Sequence, residues 1–143
     1  MKDFFTLDDL DFYGKRVLVR VDFNVPLDKK TGEIADEKRI IESLPTIRYL
    51  IGKNAKIILC SHLGRPDGKV AQSLRMDKVA SRLGMLLGAD VKKLGDCIGD
   101  EVLRKVMEME YGEVIMLENL RFHAQEEAND KVFSRQLAGL AEL

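Results

Sequence analysis

Short runs of β-branched and other apolar residues alternate along this chain with segments of helical periodicity. The runs predict strands at Arg16–Val21, Lys56–Cys60 and Glu113–Leu117, and Ala89–Leu94 is a further candidate. Alternation of strands with helices is typical of an α/β fold whose sheet is mostly parallel. We therefore predict one α/β domain with central, buried strands.

Four segments carry apolar residues at helical spacing. They are Ile40, Leu44, Ile47 and Ile51 behind Asp36; Met76, Val79, Leu83, Leu86 and Leu87; Val102, Val106 and Met109; and Val132, Phe133, Leu137 and Leu140. Pro45 interrupts the first pattern, so we expect that helix to kink or restart there. Gly88 lies where a C-cap would end the second helix. Asp100 is predicted to open the third helix, and Asn129 or Asp130 the fourth.

Composition and charge limit the classes of protein to which the chain could belong. Its 143 residues, 45% of them hydrophobic and 33% charged, suit a single core. Because 23 basic and 24 acidic residues are spread along the whole length, the sequence carries no footprint for nucleic acid. The absence of a leader or an apolar run of membrane length predicts a cytoplasmic protein that binds no membrane.

The two cysteines do not form a recognisable chemical motif. Cys60 belongs to an apolar run and Cys97 to a predicted loop. Two such residues match neither a disulfide framework nor a paired metal-ligand spacing. We predict that both are reduced and take no part in chemistry.

Polar and glycine-rich turns follow three of the predicted strands. These turns are Asp22–Pro26, Ser61–Gly68 and Glu118–His123. In an open parallel sheet, ligands bind outside the carboxyl ends of the strands, so we expect the three turns to converge on one crevice. Arg39 lies near the start of the following helix, which a right-handed crossover brings to the same side of the sheet.

Convergence of these turns would gather four basic side chains: His62, Arg65, Arg121 and Arg39. Like charges repel unless an anion neutralises them, and guanidinium groups match phosphate or carboxylate bidentately. The pattern therefore favours a small polyanionic ligand. Each residue taken alone has a simpler interpretation, since single arginines are usually solvated and His62 could be structural. Asp22 and Asn24 could merely organise a turn.

Two other motifs fail on spacing. A pair of glycines followed by Lys69 suggests a phosphate-binding Walker loop, but the spacing is one residue short and Val70 replaces the required Ser or Thr. Asp22 and Glu118 have no further carboxylate at ligand spacing, so structural or hydrogen-bonding roles are favoured. We predict no metal bound by this chain.

Four motifs in these turns and the following helix resemble those of the phosphoglycerate kinase family. They are R-V-D-F-N-V-P at Arg20–Pro26, R-I-x-x-x-L-P-T-I at Arg39–Ile47, S-H-L-G-R-P at Ser61–Pro66 and L-E-N-L-R-F at Leu117–Phe122. Their order and spacing follow the family from about Lys15 to Asp130. The resemblance implies a Rossmann-like, three-layer domain with helices on both faces of the sheet.

The resemblance also assigns roles to individual residues. Those implied to contact the glycerate are Asp22 and Asn24, and those implied to hold the phosphate of 3-phosphoglycerate are His62, Arg65 and Arg121. Arg39 would face the phosphoryl group in transfer, as both a substrate-binding and a catalytic residue. Phe23, Leu63 and Gly64 would shape the pocket walls.

The family catalyses reversible phosphoryl transfer from 1,3-bisphosphoglycerate to ADP, which gives 3-phosphoglycerate and ATP in glycolysis and gluconeogenesis. In the reverse direction the nucleophile is a carboxylate that is already ionised, so the lack of an obvious general base is expected. Positioning and charge neutralisation would carry the catalysis. Mg-ATP or Mg-ADP is implied for the complete enzyme, and no cofactor is expected on this chain.

Leu143 precedes a further strand, another phosphate-binding arginine and the nucleotide domain that the resemblance implies. We therefore expect residues 1–143 to be a truncated amino-terminal, 3-phosphoglycerate-binding domain that lacks the carboxyl-terminal nucleotide-binding domain and is inactive alone. A non-catalytic module that binds phosphate or carboxylate is the alternative. The complete enzyme is expected to be monomeric, whereas this chain would self-associate through an open edge at or beside the Glu113–Leu117 strand.

Overall fold

Four parallel strands form the centre of the molecule in a computed structural model that describes residues 3–143. They are β1 (Arg16–Arg20), β2 (Lys56–Cys60), β3 (Val91–Lys93) and β4 (Val114–Met116), and their order in the sheet is β1-β2-β4-β3. Every neighbouring pair is parallel. The predicted α/β fold is confirmed, although β1, β3 and β4 are each shorter than the sequence suggested.

Five helices in the described part of the chain flank this sheet. They are α1 (Lys38–Gly52), α2 (Asp77–Leu87), α3 (Asp100–Met107), α4 (Ala124–Glu127) and α5 (Lys131–Ala138), with 3₁₀ turns at Leu7–Asp9, Gln72–Leu74 and Leu120–Phe122. Gly88 ends α2 with a φ of 67°, as predicted. Asp130, and not Asn129, caps α5 by accepting the N–H of Phe133 at 2.9 Å. The sequence did not predict α4. No helix within residues 3–143 is both long and apolar enough to cross a bilayer.

Helix α1 runs through Pro45 without interruption, so the predicted restart is wrong. The proline is exposed, whereas the opposite face of the helix is fully buried. That buried face consists of Ile40, Leu44, Ile47 and Leu50. A proline removes one backbone hydrogen bond, but most helical stability comes from packing of the apolar face. Packing against the core therefore prevails over the local preference of the proline.

Helix α5 buries less than its apolar pattern predicted. Val132 is 63% exposed, while Phe133 is 4% exposed and Leu140, just beyond the helix, is 2% exposed. Successive helical residues are about 100° apart around the axis, so Val132 and Phe133 cannot both face the core. The prediction that placed Val132 on the buried face is wrong.

The side chains of β2 and β4 alternate between two apolar clusters and so define three layers. Ile57, Leu59, Val114 and Met116 join α1 and α2 in the first cluster, and Ile58, Cys60, Ile115 and Leu117 join α3 and α5 in the second. A strand that is buried on both faces is apolar at nearly every position, so these two strands could be predicted from the sequence.

The direction of the chain across the sheet reverses between β3 and β4. The connections from β1 to β2 and from β2 to β3 run one way and place α1 and α2 on one face, whereas the return to β4 places α3 on the other. The chain that leaves β2 runs to α2 on the first face, whereas the chain that leaves the neighbouring β4 runs to α5 on the other. A crevice opens between the carboxyl ends of two such strands.

Strand β4 is not an edge strand, because it pairs with β2 on one side and β3 on the other. The outer side of β1 is also partly covered: Leu18 donates to the carbonyl of Leu143 at 2.9 Å, and Glu142 donates to that of Arg16 at 2.9 Å. The prediction of an open edge on the Glu113–Leu117 strand itself is therefore wrong. Beside it, β3 keeps a free edge within residues 3–143, but two of its three residues are lysines, which disfavour edge pairing.

Gly68 lies where the turn after β2 contacts α4. Its φ is 77°, and a Cβ atom at this position would lie 2.7 Å from the Cβ of Ala124. Its N–H donates to the carbonyl of Arg121 at 3.1 Å. The turns that follow β2 and β4 therefore touch at a point with no room for a side chain.

Gly68→Ala should lower the free energy of unfolding by about 2–5 kcal/mol, the sum of left-handed backbone strain and overpacking against Ala124. Gly88→Ala is the matched control, because Gly88 has a φ of 67° but a Cβ atom added to it would meet nothing within 4 Å. Only the backbone strain of about 1–2 kcal/mol should appear there. Urea denaturation of both variants measures the difference, and equal losses would show that the contact with α4 is unimportant.

Candidate functional site

The side chain of Asn119 joins the turns that follow β2 and β4. It is fully buried. Its Oδ1 accepts the N–H groups of Leu63 at 3.3 Å and Arg121 at 3.1 Å, and its Nδ2 donates to the carbonyls of Leu63 at 2.8 Å and Leu74 at 3.0 Å. All four hydrogen-bonding positions of the amide are thus occupied. One side chain fixes the two turns against each other.

Glu118 supports Asn119 from the neighbouring position. Its side chain is 2% exposed. The carboxylate accepts the N–H groups of Met76 at 2.8 Å and Asn119 at 3.0 Å, and it pairs with Arg75 at 2.9 Å and Lys93 at 2.5 Å. These contacts give Glu118 the structural role that the sequence favoured over metal binding.

The turn after β1 is tied to the same unit. Ser61 Oγ accepts the N–H of Phe23 at 3.0 Å, and the carbonyl of Ser61 accepts the N–H of Leu120 at 3.0 Å. Gly64 donates its N–H to Oδ1 of Asn24 at 2.9 Å. The three turns therefore meet at one edge of the sheet, as predicted.

Asp22, Asn24 and Arg39 form one end of this edge. Nη1 of Arg39 lies 3.3 Å from Oδ1 of Asp22 and donates to the carbonyl of Asn24 at 2.5 Å. The Arg39 side chain is 48% exposed, so its guanidinium remains accessible. A cleft of about 430 Å³ lies beside it, lined by Arg20, Asp22, Arg39 and the first turns of α1.

Arg20 and Arg121 share one carboxylate, that of Glu126. Nη2 of Arg20 lies 2.6 Å from Oε1, and Nε of Arg121 lies 3.2 Å from Oε2. The Glu126 side chain is 8% exposed. Burial raises the pKa of Glu126, but hydrogen bonds from the two arginines outweigh it and hold the pKa below its ordinary value. Glu126 is therefore an ionised, nearly buried anion inside the crevice.

His62 lies in the field of the same charges. Burial lowers the pKa of His62, and the positive charges of Arg121 and Arg20 lower it further, while Glu126 and Asp22 act in the opposite direction. The net shift is downward. The imidazole is therefore mostly neutral at pH 7 and can gain a proton when another anion arrives.

The remaining predicted site residues divide into one exposed side chain and three supporting positions. Arg65 is exposed, and within residues 3–143 no hydrogen bond or ion pair holds its side chain. Phe23 and Leu63 are 0% and 2% exposed and belong to the first core cluster, so they support the turns from beneath. Gly64 has a φ of 63°, and a Cβ there would lie 2.7 Å from Cδ2 of Leu74.

Arg20, Glu126 and Asn119 were not predicted from the sequence. The basic cluster was expected to need an external anion, whereas Glu126 supplies a negative charge from within the chain. Arg20 was assigned to a strand and to a family motif but was given no role in the site, although it directly precedes a site turn. A usable signal for Glu126 was its position five residues after Arg121, within reach of the same turn.

Asp96, Cys97 and His123 form a second polar cluster, with potential ligand atoms all within 4.8 Å of one another. Nε2 of His123 lies 2.7 Å from Oδ1 of Asp96. Cys97 is buried, and burial raises the pKa of its thiol, so the neutral form is favoured over the thiolate that binds metals. Burial likewise raises the pKa of Cys60 to about 11. Both cysteines are free thiols.

A cavity of about 570 Å³ lies at the opposite, amino-terminal edge of the sheet. Its walls include Asp8, Asp9 and Asp11 together with Tyr49 and Asn54. Carboxylates repel anions, and ligands of open α/β sheets bind at the other edge. The candidate site is therefore the crevice at the carboxyl ends of β1, β2 and β4.

Known proteins are similar to this chain in sequence and in fold. The family described as phosphoglycerate kinase matches residues 7–143. A phosphoglycerate kinase from Dictyoglomus turgidum is 59% identical over 142 residues, which cover 99% of this chain and 35% of that protein. One from Microcystis aeruginosa is 57% identical over 137 residues, which cover 96% of this chain and 34% of that protein.

The structural match extends over nearly the whole chain. The crystal structure of phosphoglycerate kinase from Pyrococcus horikoshii OT3 gives a TM-score of 0.85 at 34% identity and covers 96% of this chain and 35% of that chain. The enzyme from Coxiella burnetii gives 0.84 at 34% identity, with 97% and 34% covered. This chain thus spans about a third of the length of the curated relatives that it matches. Because the family match also runs through nearly all of its residues, the chain belongs to the phosphoglycerate kinase family.

Proposed function

We propose that the crevice binds 3-phosphoglycerate. The protein to which it belongs would transfer a phosphoryl group between 1,3-bisphosphoglycerate and ADP. The observation that carries this proposal is the Glu126 carboxylate, which Arg20 at the end of β1 and Arg121 in the turn after β4 already hold at the crevice. Guanidinium groups that bind a carboxylate can bind a phosphate with the same geometry. Membership of the phosphoglycerate kinase family supports the reaction.

The phosphate of the ligand would bind at His62, Arg65 and Arg121. Arg65 suits this role because no partner within residues 3–143 competes for its side chain. His62 would gain a proton as the phosphate approaches, since an added negative charge favours the imidazolium. Together the three groups offer donors to several phosphate oxygens.

The glycerate end would bind at Asp22 and Asn24. Oδ1 of Asn24 is already occupied by the N–H of Gly64, which orients the amide and leaves its NH₂ group for the ligand. Oδ1 of Asp22 accepts from Arg39 and from the N–H of Asn24, so Oδ2 remains to accept a ligand hydroxyl. These contacts would fix the orientation of the acceptor.

Arg39 would stabilise the phosphoryl group during transfer. Its contacts with Asp22 and Asn24 hold one guanidinium nitrogen and leave the side chain 48% exposed. Preorganised positive charge lowers the barrier when negative charge spreads over the transferring oxygens. The nucleotide and its magnesium would supply the phosphoryl group, and the residues of this chain would bind and orient the acceptor.

A second candidate applies to the 143-residue chain by itself. Because the chain spans about a third of its curated relatives, the phosphoryl donor would bind largely to sequence outside these residues. The isolated chain would then act as a non-catalytic module for phosphate or carboxylate. A coupled assay tests this, since turnover that disappears in Arg39→Ala would contradict it.

Arg65→Ala should weaken binding of 3-phosphoglycerate to this chain by about ten- to a hundredfold, because one charge-assisted contact is worth about 1.5–3 kcal/mol. Arg104→Ala is the matched control, since Arg104 is 59% exposed on α3 and, within residues 3–143, its ion pair is with the exposed Glu108 at 3.7 Å. NMR titration gives the dissociation constants and the residues perturbed. Shifts elsewhere at saturation, with the Ser61–Arg65 turn and Arg121 unaffected, would show that the site is wrongly placed.

Arg39→Ala and Arg65→Ala should differ in kinetics when introduced into a complete enzyme that contains this sequence. Arg65 would bind a phosphate whose charge does not change, so its loss should mainly raise KM for 3-phosphoglycerate. Loss of Arg39 should lower kcat by about a hundredfold, as expected for a transition-state donor. Steady-state rates with both substrates varied test this. A near-normal kcat for Arg39→Ala would contradict the assigned role.

His62 should make ligand binding take up protons. Its pKa is lowered in the ligand-free protein, and a bound phosphate should raise it, so near pH 6.5 the complex holds more protons on His62. Calorimetry in buffers of different ionisation enthalpy measures the uptake. A His62→Asn variant, which lacks the titrating ring, should show less uptake than the unsubstituted chain. Equal values in the two proteins would exclude His62 from the phosphate site.

A further inference from the structure

The Glu126 carboxylate bridges two separate parts of the crevice. Arg20 ends β1 and Arg121 follows β4, and each binds a different oxygen of the same carboxylate, at 2.6 Å and 3.2 Å. Glu127 lies beside it, 52% exposed and 3.4 Å from Nε of Arg121. Of the two acidic side chains, Glu126 is the nearly buried one, at 8% exposure.

This arrangement solves two electrostatic problems at once. Burying a carboxylate away from water is unfavourable unless the carboxylate is paired with a positive charge and hydrogen-bonded. Guanidinium groups that converge on one crevice repel each other unless an anion lies between them. Glu126 therefore serves as an internal counterion that keeps Arg20 and Arg121 in place while no ligand is bound.

The same contact opposes ligand binding. Arg121 cannot give its Nε hydrogen fully to Glu126 and to a phosphate oxygen together. An incoming anion must either displace the carboxylate from Arg121 or bind against its negative charge. Because Glu126 belongs to the same chain, it competes at a high effective concentration.

The surroundings of Glu126 allow its displacement. Helix α4, which carries it, has only four residues and contributes none of them to the core. The contact between Gly68 and Ala124 joins the start of α4 to the turn after β2, where Arg65 and His62 lie. The turn that carries Arg65 and His62 is therefore in direct contact with the helix that carries Glu126.

We propose that Glu126 determines anion specificity by competing with the ligand's phosphate for Arg121, an inference that rests on the proposed function of the crevice. A phosphate dianion can bind Arg121 together with Arg65 and His62, and it replaces the charge that Glu126 provides. A singly charged carboxylate makes fewer such contacts and does not displace Glu126. The crevice thereby selects doubly charged phosphate groups over other anions.

Substitution Glu126→Gln tests this, because it keeps the shape of the side chain and removes its charge. The dissociation constants of inorganic phosphate and of 3-phosphoglycerate should both fall by about tenfold, and the preference for phosphate over acetate should narrow. Glu108→Gln is the control for the loss of one negative charge, since Glu108 lies on the surface of α3 and is 61% exposed. It should leave all three affinities unchanged.

A second measurement uses the unsubstituted chain, so it tests the competition between Glu126 and phosphate even if Glu126→Gln does not fold. Carbon-13 NMR should show the Glu126 carboxyl carbon shifting as inorganic phosphate saturates the site, together with the Nε of Arg121. A carboxyl carbon that stays unmoved while Arg121 responds would overturn the proposal. The proposal would also be overturned if Glu126→Gln bound inorganic phosphate no more tightly than Glu108→Gln does. It would be overturned equally if none of the proteins bound inorganic phosphate.

The result for 3-phosphoglycerate separates this inference from the proposed function. Tighter binding of inorganic phosphate by Glu126→Gln, without any binding of 3-phosphoglycerate in either protein, would support competition by Glu126 and contradict the proposed ligand. Tighter binding of both supports the two together. Binding of 3-phosphoglycerate by both proteins with equal affinity would support the ligand and overturn the role of Glu126.

Discussion

The crevice depends on the buried amide of Asn119. Its four hydrogen bonds connect the turn after β2, the turn after β4 and the segment before α2. A buried amide that lost these partners would leave several polar groups unsatisfied, each unfavourable by about 1–3 kcal/mol. Glu118, nearly buried beside it, adds ion pairs that reach the segment before α2 and β3. The backbone that carries the basic side chains is therefore fixed before any ligand arrives.

Charge in the crevice is balanced by the chain itself. Arg39 pairs with Asp22, and Arg20 and Arg121 pair with Glu126. The arginines can therefore converge in a chain whose overall net charge is −1. Each pair includes a guanidinium whose remaining donors stay available, because a guanidinium has five. Arg65, without a partner in residues 3–143, adds an uncommitted positive charge. The arginines of the proposed anion site are therefore already paired with carboxylates of the same chain before a ligand binds.

The strands and their following turns could be predicted from the sequence because both depend on local pattern: buried parallel strands are apolar throughout, and turn residues follow them directly. The unbroken helix around Pro45 could not be predicted, because packing of the opposite helix face outweighs the tendency of proline to interrupt a helix. Val132 was misplaced because two adjacent helical residues cannot share one face. Glu126 was missed because one of its partners ends β1 and the other lies in the turn after β4, and only the folded chain brings them together.

The central claim is that the three turns form one rigid unit, and native-state hydrogen exchange tests it most directly. The amides of Leu63 and Arg121 both donate to Asn119 Oδ1, and that of Leu120 donates to Ser61. We predict that these three amides exchange with one common opening free energy, close to that of amides in the centre of β2, because a cooperative unit opens as a whole. Independent exchange of the three, at the low free energies typical of loops, would contradict this claim.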